Sequence, residues 1–193
     1  FLDTSSLVSP DELNGDLLLM ESRNSVRNIT AHLLEKGCTL PGFMGDIGYA
    51  QSNRERYEGF CQALMDAGKT PNPSLCLTTP LGIDSYREEI DSFLSSLSRM
   101  PDAFVCASDY VACILMQLLE KRGLRVPEDV AVSGFDNNIE DLLAENLTTV
   151  QVFNEELGSR LALQILYRIK YPHTPHEVTY LESKVLYRAS TGD

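Results

Sequence analysis

The apolar stretch "VAVSGFDNN" ends in a carboxylate and two amides, Asp136, Asn137 and Asn138. Other short apolar runs also end in groups able to hold a small polar molecule. "FLD" ends at Asp3, "GFMGDIGYAQSNRER" leads to Ser52, Arg54 and Arg56, and "AFVCASD" supplies Ser108 and Asp109. Carboxylates only accept hydrogen bonds, a guanidinium is a fixed fork of donors, and hydroxyls and amides do both. That mixture suits a polyhydroxylated ligand, because one carboxylate accepts from two adjacent hydroxyls while an arginine donates to ring or hydroxyl oxygens. Each residue also has a plainer reading. Asp136 and the asparagines after Gly134 fit a turn. Ser108 and Asp109 fit the cap and first turn of a helix, Asp109 chiefly so. Arg54, beside Glu55 and Glu58, reads as a solvated surface residue.

These residues need a framework that brings run ends together. Val26, Ile29, Leu33 and Leu34 follow helical spacing, with Gly37 where a glycine closes a helix. Tyr57, Phe60 and Leu64 form a second stripe ending at Gly68, and Tyr86, Ile90, Phe93, Leu94 and Leu97 a third. "SDYVACILMQLLEKRG" predicts a fourth helix closed by Gly123, and "NEELGSRLALQILYRIK" a fifth with Asn154 as its N-cap. Short apolar runs separate them: "DLLLM", "LPGFM", "PSLCL", "DAFVCA", "EDVAVS" and "TTVQV", with "EVTYLESKVLYRAS" extended at the end. Strands of about five residues alternating with long helices imply βαβ units. The expected fold class is therefore α/β, a doubly wound, mainly parallel sheet with helices on both faces. Ligands of such sheets sit beyond the carboxyl ends of the strands, which is where the polar residues fall.

Composition narrows the function. The 193 residues carry a net charge of −12, with 43% hydrophobic and 23% charged residues. Nucleic acid binding by this segment is not expected, since that needs clustered Lys and Arg. No apolar run approaches the roughly 20 residues of a membrane span, and no signal peptide opens the chain. Five scattered cysteines without a CxxC pair read as reduced thiols of a cytoplasmic protein. His173 and His176 share a loop without a third ligand nearby, so no metal and no cofactor is expected. GxSxG, HExxH, GxGxxG and P-loop motifs are absent, and no nucleophile–base arrangement stands out. Binding without catalysis is the expectation.

Three blocks carry a family resemblance. "HLLEKGCTLPGFMGDIGYAQSNRERYEGFCQALMDAG" contains S-x-R-x-R-x-x-G-F, "PDAFVCASDYVACILMQLLEKRGLRVPEDVAVSGFDN" contains the G-L-R-V-P-x-D-V corner and G-F-D, and "LTTVQVFNEELGSRLALQIL" follows. Together they resemble the effector-binding core of LacI/GalR family transcriptional regulators over most of residues 24–190. The resemblance implies a periplasmic-binding-protein-like architecture, with two lobes joined by three crossovers and an effector between them. Residues 16–149 are expected to form the C-terminal lobe, 1–15 and 150–172 the remnants of an N-terminal lobe, and 173–193 a return to the C-terminal lobe. Most of the N-terminal lobe and a DNA-binding headpiece are expected upstream of Phe1, which is no natural start. One strand and one helix cannot bury a core of their own, so either a missing partner segment or unusual packing is expected there.

Carried over by position, Arg56 and Asp136 match effector-contacting residues. Ser52 and Asp3 match contacts found in some members, and Ser108 stands where Asn is common. Tyr86 falls near the family's aromatic platform but also on a helical stripe. The implied effector is a sugar or sugar derivative, and DNA contact would come only through the headpiece. A homodimer is implied as well, with the helix at Tyr110–Leu119 as a candidate interface. A periplasmic sugar-binding protein of a transport system is the alternative.

Overall fold

The structure is a computed structural model and describes residues 1–82, 84–137 and 145–193. Its centre is a parallel sheet of β2 (Pro41–Met44), β3 (Cys76–Leu77), β4 (Ala103–Cys106) and β5 (Ala131–Ser133), in the order β3-β2-β4-β5. Helices α1 (Arg23–Glu35), α2 (Gln51–Asp66), α3 (Tyr86–Ser96) and α4 (Asp109–Lys121) alternate with these strands. Strands β2 and β4 are buried on both faces, so they are continuously apolar. Successive side chains point to opposite faces and divide the core. Met44, Phe104, Cys106 and Val132 pack with Ile90 and Leu94 of α3 and with Val111, Leu115 and Leu119 of α4. Phe43, Ala103 and Val105 pack with Val26, Ile29 and Leu33 of α1 and with Phe60 and Leu64 of α2.

The sheet continues through β6 (Thr149–Gln151), reached from β5 by parallel bridges at Ser133–Thr148 and Asp136–Gln151. Antiparallel β8 (Lys184–Leu186) pairs with β6, and a closing 3-10 turn at Ala189–Thr191 sends Ser190 Oγ to the carbonyl of Val132 at 2.6 Å.

A smaller sheet stands apart. Here β1 (Leu17–Met20) runs parallel to β7 (Val178–Leu181), and Leu2 bridges to Leu18 on the other side of β1. Helix α5 (Asn154–Lys170) is fastened to this sheet by Asp16, which accepts from Arg168, from Gln164 Nε2 at 3.0 Å and from the Glu177 amide at 2.9 Å. None of its residues is buried; Leu163, Leu166 and Ile169 are 59%, 63% and 73% exposed.

One local expectation changes. Asn154 is the first helical residue rather than the cap; Phe153 holds the cap position and no side chain bonds the helix start. In α4, apolar nearly all round, Val111 to Leu115, Leu118 and Leu119 are buried within the chain, while Tyr110 is exposed and Met116 half-buried.

Candidate functional site

The carboxyl ends of β2, β4 and β5 converge on the first turns of α2 and α4. Gly45 follows β2 with φ +156, and a Cβ there would collide with Ala107 Cβ. Glycine thus lets the ends of β2 and β4 approach closely. Helix α2 then turns Ser52, Glu55, Arg56 and Gly59 inward. Gly59 permits this packing, because a Cβ on it would meet the backbone carbonyl of Arg23 in α1.

Arg56 is buried at 8% exposure. Its Nη1 donates to the carbonyl of Ala107 at 2.6 Å and to Asn53 Oδ1 at 3.3 Å. Its guanidinium carbon lies 3.6 Å above the centre of the Phe135 ring, in cation–π contact. Its Nη2 reaches Asp136 Oδ1 at 3.8 Å, and its buried Nε has no acceptor. Burial lowers the Arg56 pKa, while Asp136, Asp3, Asp109 and Glu55 oppose that shift. The guanidinium stays charged, as arginine does in proteins.

Asp136 sits just past β5. Its amide donates to Val150 at 3.1 Å and its φ is 115°, a region few non-glycine residues adopt. The turn reading and the ligand reading of this residue are thus not exclusive, for the strained turn aims the carboxylate at Arg56. Burial pushes the Asp136 carboxyl up to about 6; Arg56 pulls it down and Asp109 adds to the rise. Asn137 has φ 51° and serves the fold: its Nδ2 donates to Gln151 Oε1 at 2.5 Å and its Oδ1 accepts from Arg188 at 2.8 Å. Asn138 lies outside the described residues.

Asp3 and Ser52 also meet. Ser52 Oγ donates to Asp3 Oδ2 at 2.6 Å, and the Gln51 amide donates to the Thr4 carbonyl at 2.8 Å. The segment around Asp3 therefore closes the start of α2. Ser108 accepts the Val111 amide at 3.3 Å as the N-cap of α4, so its hydroxyl is partly committed to the helix. Asp109 is buried and accepts from Thr149 Oγ1 at 2.6 Å, in keeping with a structural role. Gly134 makes room for it, since a Cβ there would strike Asp109 Oδ1.

Arg54 departs from the surface reading. It is half-buried, and its Nε is buried without an acceptor. Glu55 was missed altogether. It is buried and accepts from Tyr180 Oη at 2.8 Å and from Gln51 Nε2 at 3.2 Å, tying β7 to α2. Helical spacing held the signal, because Gln51, Ser52, Glu55 and Arg56 share one face. The Ala107 carbonyl and the Phe135 ring had no comparable signal. Among the described residues, no group of three or more His, Cys, Asp or Glu could hold a metal ion. No helix among them is long and apolar enough to cross a membrane.

Comparison with known proteins places this geometry in a family. A model described as "periplasmic binding protein-like domain" matches residues 30–191. The HTH-type transcriptional repressor PurR of Aliivibrio salmonicida is 28% identical over 183 residues, covering 94% of this chain and 54% of the relative. The HTH-type transcriptional regulator DegA of Bacillus subtilis is 31% identical over 158 residues, covering 80% and 46%. The chain thus spans about half the length of the curated relatives it matches. Among solved structures, a complex of the transcriptional regulator CelR with cellobiose superposes with a TM-score of 0.82 at 27% identity, covering 93% of this chain and 55% of that one. The chain belongs to the periplasmic binding protein-like family, in the form that serves as the effector-binding core of LacI-family regulators.

Proposed function

We propose that the chain is the effector-sensing part of a cytoplasmic transcriptional regulator, and that Asp136, Arg56, Ser52, Ser108 and Asp3 contact the effector. The observation that carries this reading is the half-exposed Asp136 carboxylate held 3.8 Å from a buried Arg56 at the carboxyl edge of the sheet. A sugar or sugar derivative fits, since the carboxylate accepts from hydroxyls and Arg56 Nε still lacks an acceptor. The cellobiose complex of a relative supports that class, and the regulator relatives favour it over transport. The site offers binding without turnover.

The lobe division we propose follows sheet membership. Strands β2 to β6 and β8 make the C-terminal lobe, and Leu2, β1, β7 and α5 belong to the second lobe. Residues 17–20 and 178–181, placed with the C-terminal lobe by the expected 16–149 and 173–193 boundaries, then go with the second, and residues 150–151 of β6, expected with the N-terminal remnant, go with the C-terminal lobe. An effector that binds the closed lobes better shifts them toward closure, and typical coupling of about 1–3 kcal/mol would alter operator affinity through a DNA-binding headpiece. A homodimer is part of this reading.

The test is thermal shift with pentoses, hexoses, disaccharides, sugar phosphates and purine bases. At least one sugar is expected to raise Tm, and Asp136→Ala should abolish that rise. Stabilisation by purines alone, or an unchanged response in Asp136→Ala, rejects the assignment.

A further inference from the structure

The charge balance around Arg56 points beyond "a sugar". Four carboxylates, Asp136, Asp3, Asp109 and Glu55, act electrostatically on this one guanidinium. The guanidinium is largely engaged, by the Ala107 carbonyl, Asn53 and the Phe135 ring. Its approach to Asp136, at 3.8 Å, leaves that carboxylate without a close hydrogen-bonded cation. Arg188 donates its Nη2 to Asn137 and its Nη1 to the Leu147 carbonyl. Asp109, Glu55 and Asp3 are internally bonded, to Thr149, to Tyr180, and to Ser52 and the Thr4 amide. Their negative charge stays in the site all the same.

The buried Arg56 Nε adds an independent observation. It is a donor without an acceptor, in a side chain nine-tenths buried. The site therefore asks for a ligand with an oxygen acceptor for Arg56 and positive charge for the carboxylates. An anionic ligand would face the same carboxylates as repulsion in a partly desolvated site.

Resting on the sugar-binding reading above, we propose that the effector is a cationic amino sugar, its ammonium group set against Asp136 and its hydroxyl or ring oxygen on Arg56. Sugar phosphates and sugar acids are disfavoured at this site.

The experiment is calorimetric titration of the full chain at pH 7.0 with matched sets. These are glucose, glucosamine, N-acetylglucosamine and glucose 6-phosphate, the same four for galactose, and cellobiose against its fully deacetylated diamino counterpart, chitobiose. The amino member of at least one set is expected to bind about tenfold or more tighter than its hydroxyl parent. N-acetylation should remove that preference, and phosphate should weaken binding. Asp136→Asn should reduce the preference to below about threefold. Should Asp136→Asn fail to fold, Asp3→Asn is expected to reduce it in the same direction. Equal or tighter binding of the neutral or phosphorylated member overturns the amino-sugar inference and leaves the sugar site standing. Binding by no member of any set overturns both.

Discussion

The main sheet with α1 to α4 and the small sheet with α5 differ in how they are covered. In the first, apolar residues of strands and helices are almost all shut away, and Phe43, Phe60, Phe104 and Phe135 are completely buried. In the second, β1 is buried, yet α5 has no fully buried residue and holds on through polar contacts from Asp16. The same rules of periodicity built both regions, but only one has layers on both faces. The difference teaches that an amphipathic pattern specifies a helix and its apolar side, while the partner for that side must come from elsewhere. The well-covered region also carries Ser52, Arg56, Ser108 and Asp136 of the candidate site, and preorganised side chains need such a rigid support.

The largest expected effect sharpens this contrast. Phe104→Ala removes a buried ring stacked edge-on against Phe93 and should cost about 3–5 kcal/mol. Leu166→Ser on α5 should change stability by less than about 0.5 kcal/mol. Urea unfolding of both variants decides. A comparable loss in Leu166→Ser would mean that α5 is covered in solution, and the contrast would fail.

Next in size is Gly59→Ala. The added methyl meets the Arg23 carbonyl, so α1 and α2 must separate. Overpacking of this kind costs about 1–3 kcal/mol. Gly158→Ala, in open space on α5, should instead stabilise by about 0.5–1 kcal/mol through helix propensity. Opposite signs from one chemical change would mark the two regions apart; equal losses would erase the distinction.

Asp16→Asn probes the polar fastening of α5. Arg168 beside Asp16 holds its carboxyl well below the ordinary range; burial opposes this, while Gln164 and the Glu177 amide add to the lowering. A depressed pKa contributes stability above the unfolded value near 3.9, lost as pH falls through the folded value. The variant should lose about 1 kcal/mol at pH 7. Hydrogen exchange should quicken in residues 154–170 and remain unchanged in α1 to α4. Uniform quickening would show the two regions to be one cooperative unit.

Much of this organisation was legible in the sequence. Helical stripes and closing glycines located the five α-helices of the described residues, and the positive φ of Gly37, Gly68 and Gly123 bears out the helix ends. The run-end logic brought Arg56 and Asp136 to one edge, because strand alternation and right-handed crossovers leave few other arrangements. What escaped was side-chain traffic over long separations. Nothing in the neighbourhood of Glu55 announces Tyr180, 125 positions away, and the Arg56 bond to Ala107 depends on how closely β2 and β4 end together. The pairing of β1 with β7 was hidden for the same reason, since four apolar residues carry no mark of their partner.

The smallest effect concerns the site itself. Asp136 has its carboxyl pushed up to about 6 by burial, against an unfolded value near 3.9. The folded chain therefore holds this proton more tightly than the unfolded chain. The associated stability is present below about pH 4 and is lost as pH rises through about 6. With the side chain 43% exposed, solvent screening keeps the effect under about 1 kcal/mol. Asp136→Asn cannot titrate, so its stability relative to the parent should rise between pH 4 and 6 and then level off. Chemical unfolding of both proteins at half-unit pH steps reads this difference directly. A flat difference would mean that Arg56 neutralises Asp136 fully. The strained turn would then be holding a closed ion pair instead of a carboxylate open to a ligand.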